Sequence, residues 1–435
     1  MNTVLKDFVK YVSSNIMGMI GLSCYILADT FFIARGIGAD GLTALNLALP
    51  VYSVINGSGL MISMGGATRY SISRGNGDKQ AFRDIFSHAL YFTIILSILI
   101  VILGITSTKS LALLLGADGN TLDMTSSYLR ILMLFTPFFM CNNLLTCFVR
   151  NDGAPELAMT GMLIGTLGNI ILDYLFIFPL HLGMKGAAMA TTAAPCMGIL
   201  ILSTHFWRRK NQFHFHIVRP SLRRLFDICA LGASSLIAEL SSGVVIIVFN
   251  LILLKISGNL GVAAYGIIVN IALVLISIYT GIAQGIQPII SRNYGSREYD
   301  SIKKALRYAL LLSAALSVLS YAIMFLYATP ITALFNKDEN PILAAMAEQG
   351  IQMYFTALPF VGTNIIAAAY LSCINRPGQA FLLSGLRGFL LIIPVAFLLS
   401  FLFGMTGVWL AQPITELLVT IPAAAFLYRS VKRMG

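Results

Sequence analysis

Long apolar runs alternate with short polar segments along the whole chain. A run of about 20 apolar residues is the length of a membrane-crossing helix, and it is too long for a barrel strand. None of the runs shows the strict two-residue alternation of a half-buried strand. Twelve runs can be read, here called spans 1 to 12: 12–36, 44–70, 86–106, 125–149, 156–178, 186–206, 226–254, 262–290, 305–327, 345–372, 380–402 and 406–428. Several exceed the length a crossing needs, which predicts tilt or extension beyond the bilayer. The pattern predicts an all-α polytopic membrane protein with twelve transmembrane helices. The even count places both termini on one side.

Composition supports this reading. Of 435 residues, 57% are hydrophobic and 11% are charged, whereas a soluble domain carries roughly 25% charged residues. The first run is long and lacks a small-residue cleavage site, so span 1 is expected to serve as the targeting signal. The net charge of +11 is explained by its distribution. Six of the 29 Lys and Arg residues (Arg35, Lys109, Arg130, Lys185, Lys255 and Lys337) fall at one set of span ends, and the other 23 at the opposite set. Positive loops stay on the cytoplasmic side, so both termini are expected there, in the plasma membrane. The longest polar stretch, WRRKNQFHFHIVRPSLRR (207–224), is then a cytoplasmic linker. Its His214 and His216 read as solvated residues rather than metal ligands. The six cysteines form no CxxC or Cys/His cluster, so neither a disulfide frame nor a metal site is predicted. There is no GxxxxGK[ST] loop, nucleophile–base pair or zinc motif, which excludes direct ATP coupling, argues against an enzyme and calls for no cofactor.

The linker divides two similar halves. TPFFMCNN (136–143) faces LPFVGTNI (358–365). At a shift of 222, Pro137 meets Pro359, Phe138 meets Phe360 and Asn142 meets Asn364. LGMKGAAMA (182–190) faces FGMTGVWLA (403–411), and SRGNG (73–77) faces SRNYG (291–295). The expected organisation is an N-terminal six-helix bundle (1–206), a linker (207–225) and a C-terminal six-helix bundle (226–435). A parallel repeat of this kind places a cavity between the bundles near the midplane.

ADTFFIARGIGADGLTALNLALP (28–50) resembles the first-span signature of the multidrug and toxic compound extrusion (MATE) transporters. GNIILDYLFIF…GMKGAAMATT (168–192) is similar to that family's fifth and sixth spans, and RGNGD (74–78) with RNYGS (292–296) to its paired cytoplasmic turns. The resemblance covers nearly the whole chain. It implies two pseudo-symmetric six-helix bundles and export of amphipathic, often cationic, compounds by antiport with H+ or Na+.

Asp173 stands in the middle of NIILDYLFIF, where a carboxylate costs roughly 3 kcal/mol on insertion scales. Asn169 is four residues earlier, on the same helix face. Asp29 lies deep in span 1 and Thr191 early in span 6. The resemblance makes Asp29, Asn169, Asp173 and Thr191 the cation-responsive site of the N-terminal half. An oxygen-only set suits a hard cation such as Na+, and a carboxylate pair can also share a proton. Shifted by 222, Asp173 lands on Val395, and the twin of Asp29 falls near Asn250, so the acid pair belongs to the first half alone. In the second half the resemblance points to Glu239 of span 7 as a coupling or substrate residue. Gln284 and Gln287 of span 8, Asn364 of span 10, and the apolar Phe138, Met140 and Phe360 are the other candidates for a cavity lining. Glu416 of span 12 could serve the cavity or pair with Arg387 of span 11.

The leading expectation is a monomeric secondary-active efflux antiporter for small organic cations. Two rivals remain at this point. One is a flippase for a lipid-linked precursor, which would call for a strongly cationic cavity. The other is a non-transporting receptor or scaffold, which would have no use for an intramembrane acid pair.

Overall fold

The computed structural model describes residues 3–119, 121–336 and 340–434; Lys337, counted above with the minority charge set, lies outside them. The helices are α1 (Thr3–Gly36), α2 (Ala39–Gly75), α3 (Lys79–Leu114), α4 (Leu122–Leu134), α5 (Thr136–Asn151), α6 (Pro155–Ile177), α7 (Gly183–Trp207), α8 (Leu222–Gly295), α9 (Tyr299–Leu326), α10 (Ala328–Phe335), α11 (Pro341–Tyr354), α12 (Leu358–Cys373), α13 (Pro377–Gly385) and α14 (Ile392–Lys432). Among the described residues nine helical segments are long and apolar enough to cross a membrane, and the bent pair α4–α5 makes a tenth. Two of the nine hold two crossings each. The helical path breaks at Gly258 in α8 (φ 62°) and at Gly404 in α14 (φ 58°). Only glycine enters this backbone region without steric penalty, so each glycine is where one span ends and the next begins. Twelve spans result.

The repeat also fixes where spans bend. Span 4 bends by 48° between α4 and α5, with Pro137 in the first turn beyond the break. The matching place in span 10 is the 3-10 turn Phe355–Ala357, followed by Pro359 in the first turn of α12. Proline cannot donate to the preceding turn but suits the start of a helix, so the same residue sets both breaks. Span 11 differs from its counterpart: α13 passes through a π-helical turn, Leu386–Leu390, before α14, whereas span 5 is the uninterrupted α6.

Each half has its own apolar core. One runs from Ile33 to Phe213, with Ile228 added. The other is built from residues beyond Phe249, joined by Phe8 and Val12 from the start of α1. The linker is a docked strap on the first half. Phe213 is fully buried among Phe86, Phe148, Tyr70 and Phe206. The backbone N–H of Gln212 donates to Asp152 at 2.8 Å and that of His216 to Ser87 at 2.8 Å. Asp152 also accepts from Tyr70 (2.8 Å), His205 (2.9 Å) and Arg74 (3.4 Å), tying spans 2, 4 and 6 to the strap. The charged spelling of 207–224 hides this anchoring aromatic.

The halves meet tightly on the face that carries the strap. An ideal Cβ at Gly75 would lie 2.1 Å from the Arg292 carbonyl oxygen, and one at Gly295 would lie 2.1 Å from that of Ile72. Spans 2 and 8 therefore cross backbone to backbone, each through a glycine of its paired cytoplasmic-turn motif. Gly65 and Gly232 make the same kind of crossing for spans 2 and 7, and Gly281 and Gly285 for spans 8 and 1. Small residues at helix crossings are the usual device where lipid removes any hydrophobic drive.

Candidate functional site

Spans 1, 5 and 6 are brought together by small residues. Gly18 and Gly21 of α1 lie against Met162 and Leu163 of α6, and Gly161, Gly165 and Gly168 of α6 lie against Leu202, Ala194 and Met197 of α7. Close approach of these helices buries the four oxygen-bearing side chains together. Asp29 and Thr191 are 7% and 5% exposed, and Asn169 and Asp173 are fully buried. The carboxyls of Asp29 and Asp173 face each other, with Asn169 beside Asp173. The Thr191 hydroxyl donates to the Ala187 carbonyl at 3.0 Å.

One Asp29 oxygen, both Asp173 oxygens and both polar atoms of the Asn169 amide have no hydrogen-bond partner among the described residues. Buried polar groups are almost always satisfied, and two facing carboxylates cannot both stay charged without compensation. A hard cation or a proton supplies what this donor-poor, oxygen-rich set lacks, so the residues fit either coupling ion. Three tyrosines surround the set. Tyr25 lies four residues before Asp29 and its hydroxyl is 3.5 Å from that of Tyr52. Tyr128 faces Thr191. Tyr52 is within electrostatic range of both Asp29 and Glu239. Sequence reasoning missed these tyrosines. The signal was present in Tyr25, which shares a helix face with Asp29 by its spacing.

Glu239 is half-buried on span 7 and faces Asn56 of span 2. Asn56 accepts from Asn143 of span 4 at 2.9 Å. A Cβ at Gly57 would approach the Glu239 Cβ to 3.1 Å, so this glycine admits the acid to the junction of the halves.

The other candidates are dispersed. Gln284 accepts from Arg150 at 2.7 Å, and Gln287 accepts from Asn151 at 2.8 Å and donates to Thr68 at 3.0 Å. Both glutamines therefore belong to the tight junction on the strap face instead of a cavity wall, because their three-residue spacing aims them together at the end of span 4. Asn364 is 1% exposed and donates to Glu416 at 2.8 Å, which places it in the interior of the second bundle. Met140 is fully buried against Gly59 and Phe360 is half-buried; of the apolar candidates Phe138 is the most exposed, at 44%.

Two arginines counted above as loop charges are interior. Arg150 is fully buried and donates to Asn15 (2.8 Å), to Gln284 and to the sulfurs of Met64 (3.1 Å) and Cys147 (3.5 Å), joining spans 1, 2, 4 and 8; its Nε has no partner among the described residues. Arg387 pairs with Glu416, which is fully buried. A charge at a predicted span end looks the same in sequence whether it turns outward or inward.

The MatE family model matches residues 15–175 and 235–398, one segment in each half. The multidrug export protein MepA of Staphylococcus saprophyticus is 28% identical over 429 residues, covering 98% of this chain and 94% of the relative. MepA of Staphylococcus aureus is 26% identical over 427 residues, at the same coverage. Among solved structures, the outward-facing conformation of a multidrug resistance MATE family transporter superposes with a TM-score of 0.93 at 23% identity, covering 99% of this chain and 96% of that one. A MOP superfamily transporter from Pyrococcus furiosus superposes with a TM-score of 0.91 at 23% identity and the same coverage. With both halves of the repeat matched, the chain belongs to the MATE family.

Proposed function

We propose that this chain is a secondary-active multidrug exporter that moves amphipathic organic cations out of the cell in exchange for H+ or Na+. Both curated relatives above are described as multidrug export proteins. The observation that carries the coupling mechanism is the buried Asp29–Asp173 pair with its unmet oxygens, confined to one half. A coupling cation entering between spans 1, 5 and 6 neutralises the pair and draws those helices together. Cargo binds near Glu239, at the junction of spans 2, 4 and 7. Tyr25 and Tyr52 offer a hydroxyl link between the two regions. Ion and cargo favour opposite arrangements of the bundles, and the difference in their affinities for the two arrangements drives exchange.

The purified protein in liposomes, loaded with ethidium, tests this under a pH gradient and a Na+ gradient imposed separately. One of the two is expected to accelerate efflux. Efflux indifferent to both would refute antiport, and lipid-precursor translocation without dye movement would favour the flippase.

We assign both termini and the strap to the cytoplasm of a plasma-membrane monomer, on the charge asymmetry. In intact cells, a single cysteine at position 212 on a cysteine-free background should resist an impermeant thiol reagent and react after permeabilisation. Labelling in intact cells would reverse the orientation.

A further inference from the structure

A cavity of about 360 Å³ opens on the strap face, between the end of α2, the start of α3 and the first turns of α8. Arg69, Ser73 and Asn76 line it from the first half of the chain, and Arg223, Arg224 and Asp227 line it from α8. Two ion pairs cross between these walls. Arg224 meets Asp84 at 3.1 Å, and Arg69 reaches Asp227 only at 3.8 Å, with both partners more than a third exposed. Arg223 makes no ion pair or hydrogen bond among the described residues. The Ser73 hydroxyl also has no partner among them, although the residue is only 8% exposed. A polar group buried to that degree is normally satisfied.

The helix that brings the arginines adds to the mismatch. Arg223 and Arg224 stand in the first turn of α8, which holds no acid, and its N-cap Ser221 makes no side-chain capping bond. A helix start is the positive end of the helix dipole, where cations are unfavourable and phosphate is favourable. An anion in the cavity would meet the unpaired guanidinium, the idle hydroxyl and the helix end together. Asp78 and Asp227 also line the cavity, so its hold on an anion depends on the arginine forks and less on a broad positive field. The apolar neighbours indicate which anion. Leu222 and Phe226, each one position before a cavity residue, form the adjoining stripe of α8 and are both 72% exposed. Large exposed apolar side chains beside a basic cavity suit acyl chains, while the arginines take the headgroup. A free phosphate would use the basic wall alone.

We propose that this cavity holds the phosphate headgroup of an anionic phospholipid from the leaflet on the strap side, with Arg223 as its principal contact. Arg69, loosely held by Asp227, and the Ser73 hydroxyl complete the cradle. Its walls come from both sides of the junction, so the bound lipid braces the halves where Gly75 and Gly295 cross. The site depends on the place of the chain in a bilayer, and not on its cargo or coupling ion.

Native mass spectrometry of the purified full-length protein tests this, with phosphatidylglycerol, phosphatidylcholine and inorganic phosphate titrated separately. Phosphatidylglycerol should bind about fivefold more tightly than phosphatidylcholine, the scale of one arginine beside an anionic lipid. R223Q leaves both ion pairs in place and should remove that preference. R223K keeps the charge without the fork and should lie between. D227N frees Arg69 and should tighten the anionic lipid, a gain that a merely structural acid would not give. R208Q removes a strap charge outside the cavity and should change nothing. A cysteine replacing Thr68, buried beside Arg69 in the junction, should be labelled more slowly with phosphatidylglycerol than with phosphatidylcholine, on a cysteine-free background. Equal affinity for the two lipids, or equal loss in R208Q and R223Q, would overturn the site. Displacement of the lipid by submillimolar phosphate would make it a soluble-anion site and overturn the lipid assignment. Labelling at position 68 indifferent to the lipid would overturn the brace.

Discussion

Asp29→Asn and Asp173→Asn should each reduce gradient-driven efflux to background while the protein stays folded. Asparagine keeps the size of the side chain but carries no charge and exchanges no proton, so neither coupling ion can be taken up as before. Folding should survive because the wild-type pair is itself a burden on stability. Two carboxylates face each other out of water, and three of their four oxygens have no hydrogen-bond partner among the described residues. Removing one charge from such a pair relieves a desolvation penalty that is on the order of a few kcal/mol for an intramembrane acid. The thermal midpoint of each variant should be unchanged or raised. Reconstituted efflux under the driving gradient measures the loss, and normal rates in both variants would end the assignment of the coupling site. A variant that loses efflux and also melts well below the parent would mark the pair as structural.

Gly295→Val should stop transport for a different reason. The added Cβ would sit 2.1 Å from the Ile72 carbonyl oxygen and 3.0 Å from Gly75 Cα. These are backbone atoms, which cannot rotate aside, so spans 2 and 8 must part at the strap face. Overpacking of this kind costs roughly 1–3 kcal/mol or more. It falls only on the arrangement in which the halves touch there, so the population shifts toward the other arrangement by about tenfold or more. Efflux needs both arrangements and should drop accordingly. A cysteine replacing Thr68, 2% exposed in this junction, should become markedly more reactive in the valine variant on a cysteine-free background. Gly266, whose Cβ would meet nothing within 4 Å, is the control for valine in span 8. Unchanged reactivity at position 68 together with normal efflux would show that the crossing does not limit the cycle.

The sequence announced the architecture because membrane helices must satisfy their backbone internally and be apolar over a fixed length. The twelve runs follow from that constraint, and the aligned Pro137 and Pro359 stand at the matching breaks of spans 4 and 10. The acid pair was legible for the converse reason: Asp29 and Asp173 are conspicuous against apolar neighbours, and the structure puts them face to face. The interior positions of Gln284, Gln287 and Asn364 were not legible. A polar side chain in a span can face a cavity, another bundle or its own bundle, and only helix rotation decides which. Arg150 was hidden by a similar ambiguity at a span end, whereas the pairing of Arg387 with Glu416 was one of the two readings the sequence allowed. Tyr52 and Tyr128 escaped notice because each lies on a different helix from the acids, so no spacing connects them to the site. Phe213 was masked by the basic residues around it, although one buried aromatic is enough to dock a strap.

Arg150 gives the junction between the halves an unusual kind of lock. Its acceptors are an asparagine, a glutamine and the sulfurs of a methionine and a cysteine, with no carboxylate among them. A lock made of opposite charges would have to pull those charges apart each time it opened, and dissolved salt would loosen it by screening. Here opening exchanges amide oxygens for water around a single cation. Water can take each place in turn, so the latch releases stepwise instead of all at once. This contact between the halves thereby owes little to the ionic strength of the fluid on that face.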